Sequence, residues 1–100
     1  MELRINPLVA NDLKMIRDYI AEDNTHKATE TINKIYTKFD LIAKCPGVGS
    51  LLSNRVSFET DYKYYSWKNY IIIYKTPAEK ECVEIYRVIN RFNDITRIFD

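Results

Sequence analysis

Three cations stand among aromatic side chains in the last third of the chain. Lys63 lies in Tyr62-Lys63-Tyr64-Tyr65-Ser66-Trp67, and Arg87 and Arg91 flank Asn90 in Tyr86-Arg87-Val88-Ile89-Asn90-Arg91. Cationic side chains delivered to one end of a small sheet can hold a phosphate or dock a protein partner. Tyr64, Tyr65 or Tyr86 beside them could stack on a base or offer a phenolic proton. Other reactive groups are sparse. His26 is the only histidine, and Cys45 and Cys82 are the only cysteines, neither in a CxxC pair. No metal site and no cofactor are expected from this inventory. The two thiols are expected to be reduced and buried.

The charge balance limits the phosphate reading. The formal net charge is +1; residues 1–60 carry eight Lys/Arg against eight Asp/Glu, and residues 61–100 carry seven against six. Non-specific nucleic-acid binding runs on phosphate neutralisation, so this balance argues against a general DNA or RNA binder and permits only a local basic patch. No apolar run reaches the roughly 20 residues of a membrane span, and the start has no apolar core of signal-peptide type. A cytoplasmic protein, one domain over residues 1–100, is the expectation.

The elements that must position these residues are legible in the pattern. Leu3 and Ile5 alternate with polar neighbours as a short strand. Asn6-Pro7 reads as a helix start, and Val9, Leu13, Ile16 and Ile20 form one apolar stripe ending near Glu22. Asn24 or Thr25 caps a second helix whose stripe is Ala28, Ile32, Ile35, Phe39 and Ile42, and Pro46-Gly47 stops it near Cys45. Val48 to Glu59 reads as a loop that enters a strand late. Asp61–Trp67, Tyr70–Thr76 and Cys82–Ile89 are strands, with Lys68-Asn69 as a two-residue turn in which Asn69 tolerates positive φ. Pro77 to Glu81 is a loop, and Asp94–Phe99 a last helical turn. The expectation is an α+β fold: an N-terminal strand, then an antiparallel helical hairpin on one face of a small antiparallel sheet. The other sheet face is left to tyrosines and basic side chains. Ile71, Ile73 and Ile85 join the helix stripes in the expected core.

This order resembles the RelE/ParE superfamily of type II toxin–antitoxin systems. Ala10-Asn11-Asp12-Leu13 and Asp18-Tyr19-Ile20-Ala21-Glu22-Asp23-Asn24 resemble the first helix and interhelical turn of ParE-type members. Cys45-Pro46-Gly47-Val48-Gly49-Ser50-Leu51 is similar to the exit from the second helix. Asn69-Tyr70-Ile71-Ile72-Ile73-Tyr74-Lys75 resembles the central strand, and Arg87-Val88-Ile89 with Asn93-Asp94-Ile95 the closing motif. The resemblance implies a growth-inhibiting toxin, of the kind found in plasmid-stabilising modules, silenced by a cognate antitoxin. Operator DNA is then reached only through the antitoxin. ParE-like members poison DNA gyrase; RelE-like members cut messenger RNA in the ribosomal A site.

Ribonuclease chemistry needs a base for the 2′-hydroxyl, an acid for the leaving oxygen and cations for the phosphate. Lys63, Arg87 and Arg91 supply cations, and Tyr64 could join them as the catalytic set of a RelE-like enzyme. Lys63 falls where many relatives carry an arginine. Asn90 falls where many carry His or Tyr, and an amide is no general acid or base. Asn90 and the near-neutral charge favour the ParE-like reading. The surface for target or antitoxin is then expected to draw on Lys63, Tyr65, Trp67, Tyr86, Arg87, Asn90 and Arg91. A messenger-RNA endonuclease and a non-toxic module that only binds antitoxin remain the alternatives.

Each of these residues also has a structural reading. Arg87 could brace the sheet end by pairing with Glu84 or Asp94, and Lys63 and Arg91 could be solvated. Tyr70 and Tyr74 read as core or cross-strand pairs, and Trp67 as a brace for the Lys68-Asn69 turn.

Overall fold

The computed structural model describes residues 1–77 and 79–99. Asn6 starts the first helix: its Oδ1 accepts from the Leu8 N–H at 2.9 Å and its carbonyl from the Val9 N–H at 2.9 Å. Pro7 sits where a missing N–H leaves no bond unmade. This helix, α1, spans Leu8–Ala21 and follows strand β1, Glu2–Ile5. Asn24 caps α2, Thr25–Lys44, by accepting from the Lys27 N–H at 2.9 Å. Pro46 stops α2 and opens a 3-10 turn, Pro46–Val48. No helix among the described residues is long and apolar enough to cross a membrane.

The segment read as a loop from Val48 holds more order than expected. It contains a two-residue strand β2, Ser50–Leu51, and a second 3-10 turn, Leu52–Asn54. Then come β3, Lys63–Trp67; β4, Tyr70–Lys75; β5, Cys82–Asn90; and a 3-10 turn, Ile95–Phe99. At the β3–β4 turn the positive φ belongs to Lys68, at 53°, and not to Asn69. Of the expected Pro77 to Glu81 loop, Ala78 lies outside the described residues.

The sheet order is β1-β5-β4-β3-β2. β2 to β5 pair antiparallel as the meander requires, and β1 adds to the far side parallel to β5, so the sheet is mixed. The fold is the expected α+β arrangement with the helical hairpin packed on the sheet. Under the hairpin lie Val9, Leu13, Ile35, Phe39 and Ile42 from the helices, against Ile72, Tyr74, Val83, Ile85 and Val88. Ile16 and Ile32 pack at the margin of this core, half-buried like Ile20.

The opposite face departs from expectation. It is not left to tyrosines and cations but carries a second core of Leu52, Ile71, Ile73, Ile89 and Ile95. Strand alternation sends Ile71 and Ile73 there, away from Ile72 and Tyr74. Tyr62, Tyr86 and Phe99 close over it, with ring centroids 4.9 to 5.9 Å apart. A β-strand apolar on both faces needs two covers, and the C-terminal turn is the second. Cys82 is buried, but Cys45, at the end of α2, is exposed; both are free thiols.

Candidate functional site

Arg87 sits beyond a β-bulge. Ile73 pairs with Arg87 and Tyr74 with Ile85, so Tyr86 is the extra residue of β5. The bulge lets both Ile85 and Val88 face the helices, and it turns Arg87 toward α1. There Arg87 donates from Nε to Asp12 Oδ2 and from Nη2 to Asp12 Oδ1, both at 2.8 Å. The Val88 N–H also donates to Asp12 Oδ2, at 3.0 Å. β1 stops pairing with β5 at Ile85, so the Asp12 carboxylate serves a strand edge that has no neighbouring strand. The Asp12 side chain is 5% exposed and that of Arg87 23%. The hydrogen bond to Asp12 raises the Arg87 pKa above its ordinary value, against the effect of burial. The carboxylate is therefore Asp12, from a helix distant in sequence, and neither Glu84 nor Asp94 as the sequence suggested.

Apart from Asn90, which lines the same groove, the other expected site residues do not converge on Arg87. Lys63 pairs with Tyr74, which belongs to the helix-side core, whereas Arg87 pairs with Ile73, which belongs to the opposite one. β4 therefore stands between the two residues, and the bonds to Asp12 hold the Arg87 guanidinium against α1 at the open edge of β5. Arg91 lies past the end of β5 with its guanidinium 4.9 Å from the Phe92 ring. Asn90 turns the chain there, its Oδ1 accepting from the Phe92 N–H at 2.9 Å. Tyr64 and Tyr86 pack on the second core, and the Tyr86 hydroxyl donates to the Ile98 carbonyl at 3.4 Å. Tyr65 and Trp67 pack against the helix-side core, Trp67 stacking on Tyr70 at 6.3 Å across the turn. Lys68 sits 5.2 Å above the same indole.

An open groove runs between α1 and the end of β5. Its walls include Met15, Ile16 and Tyr19 on one side and Arg87, Asn90 and Phe92 on the other, with Tyr70 and Asn69 at the turn end. Met15, Tyr19 and Phe92 are 64%, 76% and 75% exposed. Burial first, and then Tyr19, raises the Tyr70 pKa, so its phenol is a poor base near neutrality. Asp12, Met15, Tyr19 and Phe92 were not singled out from the sequence. A signal existed: Met15 and Tyr19, four apart on α1, are large apolar side chains outside the Val9, Leu13, Ile16 and Ile20 stripe. Asp12, four before Ile16, is an acid on the flank of that stripe. Among the described residues no cluster of His, Cys, Asp and Glu could hold a metal ion.

The comparisons with known proteins agree in direction. The family model described as the ParE toxin of the type II toxin–antitoxin system parDE matches residues 3–95. A solved structure, the chromosomal ParDE toxin–antitoxin system from P. aeruginosa, superposes with a TM-score of 0.73 at 16% identity, covering 90% of this chain and 95% of that one. At that identity it supports the fold. No curated protein is significantly similar in sequence.

Proposed function

The chain belongs to the ParE toxin family of type II toxin–antitoxin systems, and from that premise we propose that it inhibits growth by acting on DNA gyrase in the cytoplasm until an antitoxin neutralises it. Family membership implies the antitoxin partner. The choice of target rests on what the site lacks for RNA cleavage. Lys63 and Arg87 are kept apart by β4, Arg87 is paired with Asp12, and Asn90 is engaged in the turn after β5. A nuclease needs cations and a proton shuttle around one phosphate, and these residues do not meet around one point. A protein-directed inhibitor needs only a complementary surface, for which a net charge of +1 is no handicap.

Two features suit an antitoxin. Exposed Met15, Tyr19 and Phe92 around the α1 groove offer apolar anchors beside the polar Arg87 and Asn90. Among the described residues the outer edge of β1 has no partner, which suits an added strand. Operator DNA is then approached only through the antitoxin. The test pairs two assays on one preparation: gyrase supercoiling, and primer extension on messenger RNA in translating ribosomes. Loss of supercoiling with intact messenger RNA is the expected result. Codon-phased cuts with untouched gyrase would make the protein a ribosome-dependent endonuclease.

A further inference from the structure

We propose that Asp12 is a specificity-determining residue that silences Arg87 toward phosphate. Arg87 is the cation best placed to reach a ligand: it lines both the α1 groove and the groove beside the C-terminal 3-10 turn. Its charge is nevertheless already matched. Two guanidinium N–H groups are committed to Asp12 at 2.8 Å, and the same carboxylate accepts from the Val88 N–H. A phosphate could take Arg87 in two ways, and both are unfavourable. Pulling the guanidinium away would strand a carboxylate that is 95% buried, in a site with one remaining hydrogen bond. Binding to the outer N–H groups would seat a second anion beside Asp12, with the charge of Arg87 shared between them. A neutral acceptor, such as the backbone carbonyl of a docked peptide, meets neither penalty. The pair thus presents a fixed hydrogen-bond donor with little net charge, suited to a protein surface and unsuited to nucleic acid.

The inference deepens the reading above, and the two fail separately: gyrase inhibition is read by supercoiling, and phosphate silencing by a nucleic-acid titration. The probe is a single-stranded oligouridylate followed by fluorescence anisotropy. Asp12→Asn keeps the shape and an acceptor for Val88 but removes the compensating charge. It should bind the oligonucleotide more tightly than the parent, with a log–log salt slope steeper by about 0.7, the value for one added phosphate contact to a single strand. Between 50 and 200 mM salt its advantage should shrink about threefold. Arg87→Gln in the Asp12→Asn background should cancel the gain. A folded Asp12→Asn protein with unchanged affinity and slope would overturn the proposal, as would a gain that survives in the double variant. Should Asp12→Asn not fold, the wild-type protein decides alone. Its Arg87 Nε–H resonance should stay fixed as oligouridylate is added, and a saturating shift would mean that Arg87 binds phosphate with Asp12 in place.

Discussion

The Tyr74 hydroxyl and the Gly49 backbone form a clasp between the central strand and the segment leaving α2. The hydroxyl donates to the Pro46 carbonyl at 2.6 Å and accepts from the Gly49 N–H at 3.0 Å, while the ring is fully buried. A Cβ built on Gly49 would lie 2.5 Å from that hydroxyl and 2.6 Å from the Tyr64 carbonyl oxygen. Glycine is required there by space, not by φ. The clasp ties the segment leaving α2 to β4 immediately before β2 begins.

Tyr74→Phe should lower stability by about 1–3 kcal/mol in urea melts, because it leaves the Gly49 N–H and Pro46 carbonyl without their partner. Gly49→Ala should destabilise as well, since a buried ring and a backbone carbonyl cannot both retreat.

The same tyrosine gives an alkaline limb to stability. Burial raises its pKa from the ordinary 10.0, partly offset by the Gly49 hydrogen bond. Its contribution is therefore full below the unfolded value and is lost as pH rises through the folded one. Thermal melts above pH 10 should fall more steeply for the parent than for Tyr74→Phe. Parallel curves would mean that another group controls the limb.

An acid-side counterpart lies in the C-terminal turn. Hydrogen bonds from the Thr96 hydroxyl and N–H, with Arg97 nearby, lower the Asp94 pKa. Its contribution is present above the unfolded carboxylate pKa and fades as pH falls through the lower, folded value. Asp94→Ala should loosen the Ile95–Phe99 turn at neutral pH, seen as faster amide exchange at Arg97, whose N–H donates to the Asp94 carbonyl, and as weaker aromatic circular dichroism. Below the folded pKa the variant and parent should converge.

Core and cap substitutions test the helical layer. Leu13→Ala and Ile35→Ala should each cost about 2–5 kcal/mol by removing buried methyl groups. Asn24→Ala should cost about 1 kcal/mol through the lost bond to the Lys27 N–H. No change in urea midpoint for either core variant would refute the packing of the hairpin on the sheet.

The antitoxin can be sought directly. Calorimetric titration with the product of the adjacent gene should show binding with a negative heat-capacity change, as apolar surface around Met15, Tyr19 and Phe92 is covered. Met15→Glu should weaken that binding at least tenfold without altering the melt. Absence of binding at micromolar concentration would remove the antitoxin from the account.

The helices, the meander and their order could be read from the sequence because each rests on short-range physics. Stripes at 3.6-residue spacing, Asn6 and Asn24 as caps and Pro46 as a stop are all local signals. The second core was missed because the cover for Ile71 and Ile73 comes from Leu52 and Ile95, in short 3-10 segments with no period to detect. The partner of Arg87 was missed for a related reason. Glu84 and Asp94 are the acids close in sequence, whereas the bulge at Tyr86 and the early end of β1 bring Asp12 across the fold. The expectation for the β3–β4 turn names the right two residues but gives the positive φ to Asn69: Lys68 takes the left-handed conformation, and the Asn69 carbonyl accepts from the Arg91 N–H at 2.8 Å.

The parallel pairing of β1 with β5 joins two segments that lie far apart in the order of synthesis. Glu2 to Ile5 have no strand to sit beside until Cys82 to Ile85 have been made. The hairpin stripes of α1 and α2 likewise wait for Ile72, Val83 and Val88 before their core is complete. Synthesis at ~5–20 residues per second leaves a nascent chain of this length partly exposed for seconds. During that interval Asp12 has no Arg87 to hold, and the groove of α1, β5 and Phe92 does not exist. A partner that needs that groove can recognise only the finished protein. An antitoxin that used this groove would have to meet the folded chain and not the nascent one.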